Sequence, residues 1–387
     1  MSNTNLRENI LFSTCALVDE KIYSFTNQLG LPIVIDLNSQ EIHFLENVKG
    51  WRPFNIDNML CLGDNIFILE LNGRRLMKYN VTQMYCQFYG INCGEKEWEN
   101  YILFANYKDC LYIFPKYKNM IVRMDINSED MKIEWLSYPE ENGFLQKNQE
   151  NIEYFACGCQ ISNKALLIGK SGDFIIIYDM ENNFLKKHML SIKIKDCVHM
   201  VPYDNQIYLL SSEGMVYSWN SETNSIKALT DYKKKMGKIH DFSRIAVTDK
   251  DIFVLPALGK NILKIDIDTK EIDKYKNYPY KFSYFNYEWS KYYGYCENEE
   301  YYYFAMRSSN YVLTINKHDS TINWIKPADN FQKEYLYCCQ KYNKILPEQE
   351  LCSIKDFVCF LNRDYTNSIS NNLIDKNSHI WNAIKMG

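Results

Sequence analysis

Five short polar turns of this chain each carry a cation: Arg75 in Asn72-Gly73-Arg74-Arg75, Lys118 in Pro115-Lys116-Tyr117-Lys118, Lys170 in Gly169-Lys170-Ser171-Gly172, Lys260 in Gly259-Lys260-Asn261, and Arg307 in Met306-Arg307-Ser308-Ser309. Guanidinium and ammonium groups make charge-assisted hydrogen bonds to carboxylates and phosphates, so these turns offer anion recognition. Trp51-Arg52-Pro53-Phe54, Trp98 and Trp289 add aromatic faces, the last inside a stretch from Tyr275 to Tyr303 that holds 14 aromatics in 29 residues. Cations set among such faces suit an anionic sugar, a nucleotide or an acidic peptide segment. His199 and Arg244 each interrupt an apolar run, with His240 shortly before Arg244. A polar group there lines a wet interior, anchors an anion, or does acid-base work; the first of these is the simplest expectation.

Other chemistries find little support. Cys157-x-Cys159 would point two thiols to one face of a strand, as half of a metal site, but no second Cys/His pair follows at finger-like spacing. The 13 cysteines, in a chain that is neither small nor visibly secreted, read as buried reduced thiols, so no metal and no cofactor is expected. Gly169-Lys170-Ser171 copies the end of a phosphate loop, but Lys164 stands where the first glycine is required and a strand follows. Gly-x-Ser-x-Gly and His-Glu-x-x-His do not occur. Lys233-Lys234-Lys235 is a solvated run, too short to hold nucleic acid.

The elements that must position these groups show themselves as a repeat. An apolar-aromatic-apolar triplet, a polar turn and an alternating strand ending in Asp or Asn recur seven times, the anchors being Asp36, Asn80, Asp125, Asp179, Asn220, Asp266 and Asn316. The residue before each anchor and the one two further back are all apolar, which is period two with one buried face. A strand of small or apolar residues precedes each triplet, and another short strand follows each anchor. The Asp or Asn side chain can cap the turn after it, so Asp36, Asp125, Asp179 and Asp266 are read as structural, not as catalytic acids.

Four strands every 40–50 residues is the blade unit of a β-propeller. Over roughly residues 10 to 327 the chain resembles that superfamily, with a strand-turn-strand-Asp rhythm similar to kelch-like and quinoprotein-like blades. The Gly-Gly pair of kelch blades is missing, and of the WD40 signature only Trp219-Asn220 comes near. The expected fold is all-β: a seven-bladed propeller of four-stranded antiparallel blades over residues 1–327. Residues 328–387 are expected to add a closing strand within Phe331–Tyr342 and a short helical tail, packed on the propeller, around Ile354, Phe357, Val358 and Leu361 and again over Ile380–Ile384. The resemblance also implies that Trp51, Arg52, Arg75, Lys118, Lys170, Lys260, Trp289 and Arg307 gather on one loop-bearing face, and that Arg244 and His199 approach the central channel.

Composition bounds the function. With 44 basic and 48 acidic side chains the net charge is −4, so neither nucleic acid nor an anionic membrane is expected as partner. No apolar run nears the ~18 residues of a membrane span, and the start lacks an apolar signal core, which points to the cytoplasm. The expectation is a non-catalytic binding scaffold for a protein segment or an anionic carbohydrate or metabolite. The alternative is a propeller-type enzyme, a glycoside hydrolase or lyase-like protein acting on a saccharide or peptide with acid/base groups drawn from several blades.

Overall fold

The computed structural model describes residues 12–26, 31–45, 48–50, 56–70, 75–90, 101–115, 120–127, 132–137, 154–230, 242–257, 261–279, 282, 291–306, 309, 311–328, 333–334 and 337–338. These form 28 strands, all in antiparallel four-stranded meanders that follow one another along the chain. The innermost strands are Phe12–Val18, Ile56–Leu62, Tyr101–Tyr107, Phe155–Ile161, Cys197–Tyr203, Phe242–Val247 and Tyr292–Glu297. Each packs against its counterparts in the two neighbouring meanders, including the first against the last, so the meanders are the blades of a closed seven-bladed β-propeller.

Burial explains why the residues take these places. Second strands such as Lys21–Thr26 and Lys164–Gly169 are buried at every position after the first, because both their faces meet a neighbouring blade. Third strands such as Arg75–Asn80, Met120–Asp125 and Phe174–Asp179 share one alternating burial pattern, which is the period-two signal of the sequence. The apolar clusters lie between blades, as where Ala105, Tyr112 and Phe114 of blade 3 meet Leu167, Ile176 and Tyr178 of blade 4. Many aromatics belong here. Tyr302 of blade 7 is fully buried and donates its hydroxyl hydrogen to the Val247 carbonyl of blade 6 at 2.8 Å.

All seven anchors cap their turns. The Asp36 Oδ1 accepts from the Asn38 and Ser39 amides, and Asn80, Asp125, Asp179, Asn220, Asp266 and Asn316 accept in the same way from the residues two or three beyond. The Ser39 amide in particular holds the Asp36 carboxyl below the usual carboxylate value. Four residues past six of these anchors the backbone is left-handed, at Gln40, Met84, Asn183, Asn224, Lys270 and Ser320.

Of the stretch Phe331–Tyr342, expected to hold a closing strand, residues 333–334 and 337–338 are described. Lys333–Glu334 and Tyr337–Cys338 are helical. Blade 1 already takes its four strands from the start of the repeat region and blade 7 its four from the end, so the ring has no vacant strand position. Closure comes instead from the innermost strands, from a short parallel pairing of Lys326 with Glu41 and Pro327 with Ile42, and from Glu334. The Glu334 carboxylate accepts the Phe44 amide at 3.0 Å and lies 3.2 Å from His43 Nδ1. The chain divides into two compact units, Met1–Tyr335 and Leu336–Gly387. The helical stretches expected around Ile354–Leu361 and Ile380–Ile384 lie outside the described residues.

Candidate functional site

Every blade carries a register shift at one place, where its innermost strand pairs with the next. A bulge of this kind re-aims the side chains beside it. Asn58, Cys157, His199, Arg244 and Gly294 follow the shift directly and occupy one matched position, opposite Leu69, Ile168, Leu210, Leu255 and Ala305. His199 of blade 5 and Arg244 of blade 6 are thereby brought side by side at the channel.

His199 Nδ1 accepts the Ile245 amide at 3.2 Å, which leaves the ring proton on Nε2. Its ring stands edge-on to Tyr295, with centroids 5.3 Å apart. Burial, and after it the neighbouring Arg244 charge, holds His199 well below the usual histidine value, so it is neutral at physiological pH. Arg244 donates from Nη1 to the Ser243 carbonyl at 3.0 Å and from Nη2 to the Tyr293 carbonyl of blade 7 at 2.9 Å. The Tyr293 ring lies under its guanidinium at 6.0 Å. The Arg244 charge also reaches the Cys157 thiol of blade 4.

Of the five N–H donors on a guanidinium, Arg244 engages two with backbone carbonyls, and its Nε is sealed from solvent with no partner. Among the described residues no carboxylate pairs with it. The Tyr295 hydroxyl is likewise sealed from solvent, and its proton is held on by burial and then by the neighbouring Glu297 carboxylate. The groups gathered here are donors: a guanidinium, an imidazole Nε2–H and a phenol. Such a set receives an acceptor, above all an anion. The Cys157 thiol lies 3.5 Å from that of Cys197, and burial pushes it up, away from thiolate reactivity.

The remaining expected site residues are placed unevenly. Arg75 opens the third strand of blade 2, half-buried, with its guanidinium 5.7 Å from the Phe88 ring centroid. Lys170 is exposed in the turn of blade 4, where its amide donates to the Tyr154 carbonyl at 3.0 Å. Neither is brought to Arg244 by any contact described. Trp51, Arg52, Lys118, Lys260, Trp289 and Arg307, together with Trp98 and His240, lie outside the described residues. Tyr293 and Tyr295 belong to the site but are buried in an aromatic-rich stretch of sequence where nothing singles them out. An open depression of about 480 Å³ between blades 3 and 4 includes Asn106, Lys108, Gln160 and Glu181. Its polar groups are occupied with one another, Gln160 bridging to the Asn106 backbone and Lys108 to Glu181, which makes it a weaker site than the channel.

The fold has solved counterparts. The chain is similar to PorZ, a surface component of the type-IX secretion system of Porphyromonas gingivalis, with TM-score 0.54, 10% identity, and coverage of 83% of this chain and 39% of PorZ. It is similar to the extracellular domain of the hybrid two-component system BT4673 of B. thetaiotaomicron, with TM-score 0.55, 11% identity and coverage of 80% and 38%. YCF48 from Cyanidioschyzon merolae matches with TM-score 0.54, 12% identity and coverage of 81% and 97%, and YCF48 has also been solved bound to D1 peptide. The fold is a β-propeller. The chain spans about two fifths of the PorZ and BT4673 chains. No protein-family model matches it, and no curated protein matches it in sequence.

Proposed function

We propose that this propeller is a non-catalytic binding scaffold whose ligand sets an anionic group against Arg244 in the channel. The observation that carries this is a half-buried guanidinium whose Nε is sealed from solvent without a partner, with no carboxylate pairing with it among the described residues. An uncompensated buried charge is costly, and an anion that completes its hydrogen bonds offsets that cost. The favoured ligand is a protein segment presenting an acidic side chain, a choice supported by the peptide that YCF48 binds in a similar fold. An anionic saccharide or metabolite has the same recognition chemistry. The cations and aromatics of the loop-bearing face, Trp51, Arg52, Arg75, Lys118, Lys170, Lys260, Trp289 and Arg307, are proposed to extend the binding surface. The nine described cysteines are free thiols, which suits a reducing compartment, and we place the protein in the cytoplasm. The strand-turn-strand-Asp rhythm supports kinship with kelch-like and quinoprotein-like blades.

Fluorescence anisotropy tests the proposal with a labelled Asp/Glu-rich peptide and its Asn/Gln counterpart. The acidic peptide is expected to bind, with roughly tenfold or more loss in Arg244→Gln, the worth of a charge-assisted hydrogen bond. Equal affinity for the neutral peptide, or unchanged affinity in Arg244→Gln, overturns it. Binding of glucuronate or inorganic phosphate, without the peptide, assigns the small-anion class instead.

A further inference from the structure

Two pairs of thiols join neighbouring blades beside the channel. Cys157 Sγ of blade 4 lies 3.5 Å from Cys197 Sγ of blade 5, and Cys15 Sγ of blade 1 lies 3.4 Å from Cys296 Sγ of blade 7. All four are free cysteines. The second pair stands at the one junction whose two blades are not consecutive in the chain, its members being 281 residues apart. No turn of backbone ties blade 7 to blade 1. Strand packing, the pairing of Lys326 and Pro327 with Glu41 and Ile42, and the Glu334 contacts with blade 1 hold that seam.

A sulfur–sulfur bond is about 2.05 Å long, so the Cys15 and Cys296 sulfurs need to approach by about 1.4 Å, a motion that small side-chain rotations can supply. Cys296 keeps some accessibility while Cys15 is only 2% exposed, so an oxidant meets Cys296 first.

We propose that Cys15 and Cys296 are an oxidation-dependent disulfide latch that closes the propeller ring covalently, with a peroxide as the oxidant. The Cys296 sulfur, as thiolate, attacks one oxygen of hydrogen peroxide. The O–O bond breaks, the other oxygen leaves as hydroxide and takes up a proton to become water, and Cys296 is left as a sulfenic acid. The Cys15 sulfur then attacks the Cys296 sulfur, the S–O bond breaks, and the hydroxyl departs with the Cys15 proton as a second water. Two thiols and one hydrogen peroxide thus become one disulfide and two waters. The sulfurs lose two electrons and the peroxide gains them. Burial pushes the Cys296 thiol up, so the first step is slow at neutral pH and calls for sustained oxidant. A dithiol reductant reverses it by exchange. The Cys157–Cys197 pair joins blades the backbone already connects, across only 40 positions, so a bond there restrains the unfolded chain less.

The test treats the full chain with hydrogen peroxide or with dithiothreitol, alkylates the remaining thiols, digests without reduction and maps the peptides by mass spectrometry. Thermal unfolding of the same samples runs alongside. A peptide pair linked through Cys15 and Cys296 is expected in the oxidised sample alone, with a rise in Tm on the order of 5 °C from closing so long a loop. That rise is expected to vanish in Cys15→Ser and in Cys296→Ser. Recovery of the two cysteines as separate alkylated or over-oxidised peptides overturns the latch, as does linkage of Cys296 to any other cysteine. Should either variant fail to fold, the peptide map of the wild-type chain decides the question.

Discussion

Replacing His199 with Asn separates that side chain's titration from its hydrogen bond. The Asn oxygen sits near the place of Nδ1 and can go on accepting the Ile245 amide, 3.2 Å away in the wild type, but it takes up no proton. In the folded protein, burial and then the Arg244 charge keep His199 neutral to well below 6.5. In the unfolded chain it protonates near 6.5. Below that pH the unfolded state holds a proton that the folded state does not, so acid favours unfolding. Between pH 7.5 and 5.5 the contribution of this one residue is about 1.4 kcal/mol of lost stability. His188 is also held down by burial and shifts stability in the same direction, but it is present in both proteins and cancels in the comparison. Urea unfolding of wild type and His199→Asn at the two pH values gives the double difference directly. The variant is expected to lose about 1.4 kcal/mol less across the window. Equal pH dependence in the two proteins refutes the argument that His199 is enclosed beside a cation.

Two further substitutions probe the turns. Gln40 is exposed and left-handed at φ 56°. Gln40→Gly relieves about 1–2 kcal/mol of backbone strain against a slightly smaller entropy cost, so a gain of about 0.5–1 kcal/mol in urea unfolding is expected, and a loss would contradict it. Asn220 Oδ1 accepts from the Glu222 and Thr223 amides at 3.0 and 2.9 Å. Asn220→Ala is expected to cost about 1–2 kcal/mol and Asn220→Asp to restore most of it, whereas equal losses would show that the cap contributes nothing.

The strands were legible in the sequence because each position's burial is decided locally, by which side of a pleated strand it occupies. The seven anchors were legible for a related reason: a side chain that caps its own turn must stand at a fixed distance from the strand it ends. The left-handed position four residues further on was not legible. Gln40, Met84, Asn183, Asn224, Lys270 and Ser320 share no chemistry, because the hydrogen bonds from the anchor already shape the turn and glycine is not required there. That also accounts for a propeller built with only 15 glycines. His199 and Arg244 stood out individually as polar residues in apolar strands. Their pairing, and the Cys15–Cys296 contact, depend on blade order and on register shifts created only when two strands meet.

Whether Arg244 is there for structure or for a ligand turns on what its geometry leaves over. A structural role is visible: its bond to the Tyr293 carbonyl ties blade 6 to blade 7. A neutral donor could make that tie, however, without the cost of burying a charge. The usual remedy is withheld, since among the described residues no carboxylate forms an ion pair with the guanidinium. His199 cannot compensate either, because it contributes no negative charge and its one acceptor nitrogen is taken by the Ile245 amide. A channel that gathers donors from blades 5, 6 and 7 and leaves the Arg244 Nε without an acceptor among the described residues is arranged for an acceptor from outside. The measurement that separates the two roles is stability with and without an anion. If Arg244 is structural only, Arg244→Met lowers stability equally in chloride buffer and in buffer with the acidic peptide. If it anchors a ligand, the variant is as stable as the wild type or more so without peptide, and only the wild type gains when peptide is added.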